Sequence, residues 1–270
     1  MVCRVLNVSR SGFYSYSESV ESEEIRAEEA VIHCFTRHNG NYGRIRIRKA
    51  LLKEGIDISE YRIAGILRKN GMKAKSGRSK IRRAPKPTEQ QYVEENLVPD
   101  KFSVKVPNQL WCSDITVLSC KAAKLYLCGV IDVATRRIVG WSIAKNQTQV
   151  LVQDAFNMAV GRNPNRPVDA IYHSDRGCQY TAKKTKDLIE SFGFRKSMSR
   201  PGTPSDNQPI ESFWRTLECE MPEISGMGFQ DAATAVVNYI ELYYNTDRIH
   251  SGIDYHTPNE FFTLLSVHES

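Results

Sequence analysis

The stretch from residue 108 to residue 144 constrains the fold most, because three β-rich runs follow one another there with only short turns between them. The runs are NQLWCSDITVL (108–118), KLYLCGVIDVAT (124–135) and RRIVGWSIA (136–144). Their β-branched and aromatic residues favour three strands joined as an antiparallel meander. We therefore expect a sheet to begin here.

Helices and short apolar runs alternate after the meander. We predict a helix at 148–160, a buried strand in DAIYHSD (169–175), a polar helix at 181–192, a strand in FRKSMS (194–199) and, after the loop RPGTPSDN, a helix from Gln208. This order is α/β and layered, of the ribonuclease-H kind. It predicts a mixed five-stranded sheet with flanking helices at 105–222. A C-terminal helical extension is predicted at 223–270, with one long helix from Phe229 to Ile249.

The part before the sheet is strongly basic. Residues 37–86 contain 16 Lys and Arg but only three acids, within a chain whose formal net charge is +6. A block of that charge attracts a polyanion through counterion release, although a merely solvated basic face has the same composition.

Two short helices with a tight turn between them are predicted inside the basic block. The first covers 42–55; the second begins after the N-cap Ser59, carries the apolar stripe Ile63, Ile66 and Leu67, and ends at Asn70-Gly71. They predict a small all-α helix-turn-helix domain at 37–72 that binds DNA. The candidate contacts are Arg44, Arg46, Arg48 and Arg62.

Two segments flank this domain. Residues 1–36 are predicted as an N-terminal helical segment, frayed over 1–20 and helical from Val20 to Phe35. Residues 73–104 lose periodicity and contain Pro85 and Pro87, which predicts a basic linker. This linker either lies along a DNA backbone or is a free tether.

Three acidic residues stand where an α/β fold gathers catalytic groups. Asp114 lies inside the first strand, where a charge is out of character, and Asp175 ends the fourth strand. Glu211 lies in the first turn of the following helix, behind Asn207 as N-cap and with Pro209 near the first helical position.

Seven motifs carry a resemblance to a known family: YGRIRIRKAL, NQLWCSDIT, VIDVATRRIVGWS, HSDRGCQY, SRPGTPSDN, IESFWRTLE and YYNTDRIHSGIDYHTPNEFF. Spanning residues 42–262, they resemble the second-frame product, OrfB, of insertion sequences of the IS3 group, DDE transposases of the retroviral-integrase superfamily. The resemblance implies DNA strand cleavage and strand transfer, with Asp114, Asp175 and Glu211 as the catalytic and metal-binding triad. Gln208-Pro209 departs from the family's Ala at this point, and proline is tolerated in a first helical turn.

Such chemistry needs a carboxylate cluster, because two divalent ions activate the attacking oxygen and stabilise the leaving one. Mg²⁺ prefers oxygen ligands, so two Mg²⁺ ions are expected, with Mn²⁺ as a substitute. Without metal, three converging carboxylates repel one another, and some are expected to stay protonated.

Ordinary structural explanations compete with these roles. Each triad residue alone could be a hydrogen-bonded acid, a helix cap or a partner of a helix dipole. Asp132 is the chief competitor as a metal neighbour, although Asp-x-x-Thr also makes a turn after a strand. We interpret Asp206 as a cap or turn residue, His173 as a satisfied core histidine and Trp214 as core.

Basic side chains near the triad are candidate phosphate contacts: Lys183, Lys184, Arg200 and Arg215. Arg215 is favoured because it lies four residues beyond Glu211, on the same helix face. The expected partner is double-stranded DNA, at the terminal repeats and the target, and pairing two ends requires at least a dimer. The resemblance also implies a first-frame OrfA partner or fusion.

Seven cysteines, odd in number and never spaced as C-x-x-C, argue against disulfides and a zinc ribbon. The sequence contains no secretory leader and no apolar run of membrane-spanning length, so we expect a cytoplasmic, nucleoid-associated bacterial protein.

Two other functions fit the same sequence. The core could belong to a metal-dependent ribonuclease-H-like nuclease, which would cleave RNA in hybrids without joining DNA ends. The chain could also be a catalytically silent DNA-binding protein, which would bind DNA without metal-dependent chemistry.

Overall fold

The chain folds as two compact units, Met1–Ser76 and Gly77–Ser270. A computed structural model describes residues 9–75, 94–98, 102–121 and 123–267; for residues 10–21 and for Pro204 it describes the backbone alone. The division falls within the predicted basic linker, residues 73–104.

The described residues of the first unit, 9–75, form three helices: α1 (Arg10–Arg37), α2 (Arg44–Lys53) and α3 (Glu60–Lys69). Ser59 caps α3 as predicted, since its Oγ accepts a hydrogen bond from the backbone N–H of Arg62 at 3.3 Å. The stripe Ile63, Ile66 and Leu67 is buried, and Gly71 ends the helix at a φ of +64°. The predicted helix-turn-helix-like region is confirmed.

The predicted frayed start is wrong from residue 10 onward, because the backbone of α1 is already helical at Arg10. Ser and Gly are weak helix formers, and that preference is only a weak guide to the final structure. Residues 1–8 lie outside the described residues.

A five-stranded sheet forms the centre of the second unit, with the order β3-β2-β1-β4-β5. The strands are β1 (Leu110–Cys120), β2 (Ala123–Asp132), β3 (Ile138–Ala144), β4 (Ile171–Ser174) and β5 (Arg195–Met198). The first three are antiparallel neighbours, whereas β4 runs parallel to both β1 and β5. This mixed sheet confirms the predicted ribonuclease-H-like class and places β1 at its middle.

Helices cover both faces of the sheet because successive strand residues point to opposite sides. Trp111 faces a cluster that includes Phe156 of α4 (Gln149–Arg162). Cys112 faces the other way, into a cluster with Phe213 and Leu217 of α7 (Gln208–Glu220). Two shorter helices lie between α4 and α7 in the chain: α5 (Cys178–Thr181) and α6 (Lys183–Ser191).

The C-terminal extension differs from the single long helix that the sequence predicted. It consists of α8 (Phe229–Asn238), a π-helical turn (Tyr239–Tyr244), a 3₁₀ turn (Ser251–Ile253) and α9 (Pro258–Val267). The helix stops before Ile249 because the side chain of Asn245 bonds both the backbone N–H and the carbonyl of Ile138, each at 3.0 Å. This contact ties the extension to the start of β3.

The last part of the predicted linker belongs to the second unit. The carbonyl of Glu95 accepts a hydrogen bond from the backbone N–H of Met198 at 3.3 Å, and the backbone N–H of Leu97 donates to Ser197 Oγ at 2.9 Å. Residues 94–98 therefore lie beside β5, while residues 76–93 fall outside the described part. The predicted domain boundaries stay predictions.

Across the described ranges, no helix is both long enough and apolar enough to cross a membrane.

Candidate active site

Asp114 lies in the middle of β1, directly opposite Gly129 of β2. Its side chain is on the sheet face that α7 covers, and Oδ2 accepts a hydrogen bond from Nε1 of Trp214 at 3.0 Å. Burial, followed by the negative charge of Asp175 and more weakly that of Glu211, raises the pKa of Asp114 to about 7. The hydrogen bond from Trp214 acts in the opposite direction and lowers this pKa.

Asp175 follows directly after β4 and comes close to Asp114 because the two strands are parallel neighbours. Ser113 pairs with Ser174, the last residue of β4, and the residue that follows each of them is a catalytic candidate. Oδ1 of Asp175 accepts a hydrogen bond from the backbone N–H of Gly177 at 3.0 Å. Burial raises the pKa of Asp175, and the hydrogen bond from Gly177 opposes that shift.

Glu211 occupies the first turn of α7 and is partly exposed. Its carboxylate lies 3.7 Å from the Arg215 guanidinium, one turn further along the helix. Burial raises the pKa of Glu211, while the charge of Arg215 lowers it. The helix accommodates Pro209 in its first turn, as predicted, because an N–H at that position would have no helical partner.

The start of α7 is held against β1 by Asn207. Its Nδ2 donates to the carbonyl of Ser113 at 3.0 Å, and Asn207 makes no side-chain cap of the helix. The helix is therefore bonded to β1 on both sides of Glu211: through Asn207 before it and through Trp214 after it. The sequence predicted Trp214 as a core residue, and it is buried, but its contact with Asp114 was missed.

The three candidate residues thus come from separate elements that meet at β1: β4 pairs with it, and α7 is hydrogen-bonded to it through Asn207 and Trp214. Within the described ranges, no group of three or more His, Cys, Asp and Glu side chains is arranged to hold a metal ion, and Glu211 is paired with Arg215. The donor set nevertheless suits a hard divalent cation, because it offers only carboxylate oxygens. Burial raises the pKa of both Asp114 and Asp175, and a cation bound there would stabilise their charged forms. The roles of the triad stay a prediction.

Asp132 has the competing structural role. Its carboxylate accepts hydrogen bonds from the backbone N–H of Asn108 at 3.0 Å and from Oγ1 of Thr135 at 2.5 Å. Burial raises the pKa of Asp132 to about 6 despite these bonds. The side chain thus closes the turn after β2.

Asp206 and His173 also have hydrogen-bond partners within the protein. Asp206 accepts two hydrogen bonds from the Arg200 guanidinium, at 2.8 and 3.0 Å, which hold the pKa of Asp206 down at about 2. His173 is buried between Ser197 and Ser199, at 2.8 and 3.0 Å, and burial lowers its pKa to about 4. Arg200, a predicted DNA contact, is therefore engaged with Asp206.

Other predicted DNA contacts differ in how they are engaged. Lys183 and Lys184 are exposed at the start of α6. In the first unit, Arg44 lies 3.4 Å from Glu60 and Arg48 lies 3.6 Å from Asp57, whereas Arg46 donates to the carbonyl of Asn41 at 3.4 Å. Arg62 is partly exposed, and among the described residues it forms no ion pair.

Comparison with known proteins gives consistent matches along the chain. The integrase core domain family matches residues 105–204, a second integrase core domain family matches residues 192–258, and the HTH-like domain family matches residues 21–80.

The proteins similar to this chain include two bacterial transposases and a chain of a viral intasome. The transposase for insertion sequence element IS904 of Lactococcus lactis is 37% identical over 243 residues, which cover 89% of this chain and 92% of the relative. Transposase InsF for insertion sequence IS3A of Escherichia coli is 35% identical over 269 residues, covering 96% and 92%. A chain of the simian T-cell lymphotropic virus intasome aligns at 16% identity and a TM-score of 0.48, covering 86% of this chain and 73% of its own.

Proposed function

Since the chain belongs to the IS3 group of insertion-sequence transposases, we propose that it cuts DNA at insertion-sequence ends and transfers the strands, with Asp114, Asp175 and Glu211 as its catalytic carboxylates. The observation that carries this proposal is geometric. The pairing of Ser113 with Ser174 aligns the residues that follow them, Asp114 and Asp175. The hydrogen bond from Trp214 to Asp114 holds α7, the helix that carries Glu211, against the same strand.

Asp114, Asp175 and Glu211 would hold two Mg²⁺ ions, or Mn²⁺ in their place. When bound, the ions supply activation of the attacking water or 3′-hydroxyl and stabilisation of the leaving oxygen. The raised pKa of Asp114 is consistent with this proposal, because burial and, after it, the like charge of Asp175 disfavour the charged carboxylate, and a nearby cation would offset both effects.

The surrounding residues orient the carboxylates. The backbone N–H of Gly177 holds one oxygen of Asp175, and the indole of Trp214 holds one oxygen of Asp114. Arg215 is largely exposed beside Glu211, so its guanidinium can exchange the carboxylate for a phosphate of bound DNA. Lys183 and Lys184 would add phosphate contacts from α6.

The first unit would bind double-stranded DNA through the outer face of α3. Tyr61 is 91% exposed there, and Gly65 and Arg68 follow on the same side, opposite the buried stripe. Within the described part of the chain, neither Arg62 nor Arg68 forms an ion pair, whereas Arg44 and Arg48 do. The free cations of α3 favour this helix as the one that meets the duplex.

Pairing two DNA ends would require at least a dimer, and a first-frame OrfA partner or fusion would contribute end specificity. The proposal places the protein at the nucleoid, in the bacterial cytoplasm.

Nicking and strand-transfer assays on insertion-sequence ends with Mg²⁺ or Mn²⁺ test the proposal. Asp175→Asn and Glu211→Gln are expected to lower both activities more than ~100-fold. Asp187→Asn, which removes an exposed charge from α6, is the control and should remain active. Wild-type activity in either triad variant would refute the assignment. Hybrid cleavage without joining would indicate a ribonuclease, and DNA binding without any cleavage would indicate a silent binding protein.

A further inference from the structure

We propose that Trp214 is a positioning residue that fixes the carboxylate of Asp114, and that Gly129 is kept free of a side chain to admit its indole ring. The role of Asp114 in catalysis rests on the proposed function, but the contact itself does not depend on it.

The indole of Trp214 is buried, and its N–H points at Asp114. Its side chain is 6% exposed, and its ring packs against Phe213 with the centroids 4.9 Å apart. Nε1 donates to Oδ2 of Asp114 at 3.0 Å, across a separation of 100 residues in sequence. A buried indole N–H needs an acceptor, and here that acceptor is the candidate catalytic oxygen.

Gly129 explains how the ring reaches that position. A Cβ atom at residue 129 would lie 2.8 Å from Cη2 of Trp214, closer than a Cβ atom approaches another carbon, and 3.3 Å from Cζ2, which is a tight contact. Gly129 is not among the residues with positive φ, so its backbone does not itself require glycine. Glycine weakens a strand interior and often marks a close approach, which in this case is the approach of the ring.

Helix α7 carries both Trp214 and Glu211. Trp214 follows Glu211 by three residues, so the two side chains lie on one side of α7. Asn207, one turn before Glu211, bonds the carbonyl of Ser113 beside Asp114. The helix that delivers Glu211 therefore also sets the orientation of Asp114, which links the two carboxylates mechanically.

Trp141 offers a matched control. It also donates its Nε1–H to a carboxylate, that of Glu241 at 2.6 Å, but this pair joins β3 to the π-helical turn. Trp141→Phe and Trp214→Phe therefore remove the same donor from two different places.

The contact is tested first by NMR of the full chain with ¹⁵N-labelled indole groups. Trp214→Phe identifies the Trp214 signal. Asp114→Ala should shift that signal and speed its hydrogen exchange, while the signal of Trp141 stays in place. An unmoved Trp214 signal would overturn the inference, whatever the enzyme does.

The positioning role is tested by titrating Mn²⁺ against both strand cleavage and calorimetric binding. Trp214→Phe should raise the Mn²⁺ concentration at half-maximal effect by ~10-fold in both measurements, as the loss of a ligand-orienting partner does. Gly129→Ala should produce the same shift, and the double variant should add little to either. Trp141→Phe should match the wild type, and unfolding curves verify that every variant is folded.

These outcomes separate the inference from the proposed function. Wild-type metal dependence in both Trp214→Phe and Gly129→Ala would overturn the positioning role while the transposase assignment stands. A wild-type chain that neither binds Mn²⁺ nor cleaves DNA would overturn the proposed function, and the NMR result would then decide the contact alone.

Discussion

Arg248 and Glu220 form a buried ion pair in which Nε and Nη2 of the guanidinium each lie 2.6 Å from a carboxylate oxygen. The side chains are 4% and 6% exposed. Tyr239 adds a third hydrogen bond to the same carboxylate, at 3.1 Å. Glu220 is the last residue of α7, so this pair anchors the C-terminal extension to the helix that begins near Glu211.

Arg248→Ala is expected to lower the free energy of unfolding by about 3 to 5 kcal/mol, because it leaves a buried carboxylate without its cation. Urea unfolding measures this change. The control is Arg162→Ala, since Arg162 pairs with Glu241 at the same 2.6 Å but at the surface, where such pairs contribute about 0 to 1 kcal/mol. Equal losses in the two variants would contradict the assigned burial.

Gly65→Ala is expected to stabilise the fold while weakening DNA binding. A Cβ at residue 65 meets no atom within 4 Å, so alanine in this helix should add about 0.5 to 1 kcal/mol of stability. If the outer face of α3 lies close to DNA, the added methyl group would separate the surfaces. Thermal unfolding and fluorescence anisotropy with a labelled duplex measure the two effects.

Gly161→Ala in α4 is the matched control for that prediction, because its Cβ also meets open space. It should stabilise the chain to a similar degree and leave DNA binding unchanged. DNA affinity that is unaffected in Gly65→Ala would argue against α3 as the contacting helix.

Asp206 should give the second unit an acid-sensitive contribution to stability. The Arg200 guanidinium lowers the pKa of Asp206 from its ordinary value of 3.8 to about 2. A lowered pKa means that the contribution is fully present above pH 3.8 and is lost as the pH falls towards 2. Unfolding measured between pH 5 and pH 2 should therefore show a weaker pH dependence in Asp206→Asn than in the wild type.

At neutral pH, Asp206→Asn should lower the free energy of unfolding by about 1 to 2 kcal/mol, because Arg200 is largely exposed and water screens the pair. The control is Asp187→Asn, because Asp187 is an exposed acid on α6. Parallel pH curves for Asp206→Asn and the wild type would rule out the contribution.

The parts of the fold that the sequence predicted are those that depend on residues close together in the chain. Runs rich in β-branched and aromatic residues indicated the first three strands, and Asp114 stood out because a strand interior rarely carries a charge. Ser59 and the stripe from Ile63 to Leu67 defined α3 for the same reason. These features depend on residues a few positions apart.

Contacts between distant elements were not predictable in this way. The bond from Trp214 to Asp114 joins residues 100 apart, and apolar periodicity indicates only that Trp214 is buried. Arg200 looked like a free cation until the fold paired it with Asp206. The early end of the last helix arises from Asn245 and the backbone of Ile138, a contact that no helix propensity contains.

The segment beside β5 has a consequence for self-association. An outer strand whose backbone groups face outward is a template for strand addition, and it can seed fibrils when two copies meet. In this chain the carbonyl of Glu95 accepts a hydrogen bond from the backbone N–H of Met198, and the backbone N–H of Leu97 donates to the side chain of Ser197. These bonds occupy part of that border of the sheet, so a second copy that added a strand there would first have to displace residues 94–98.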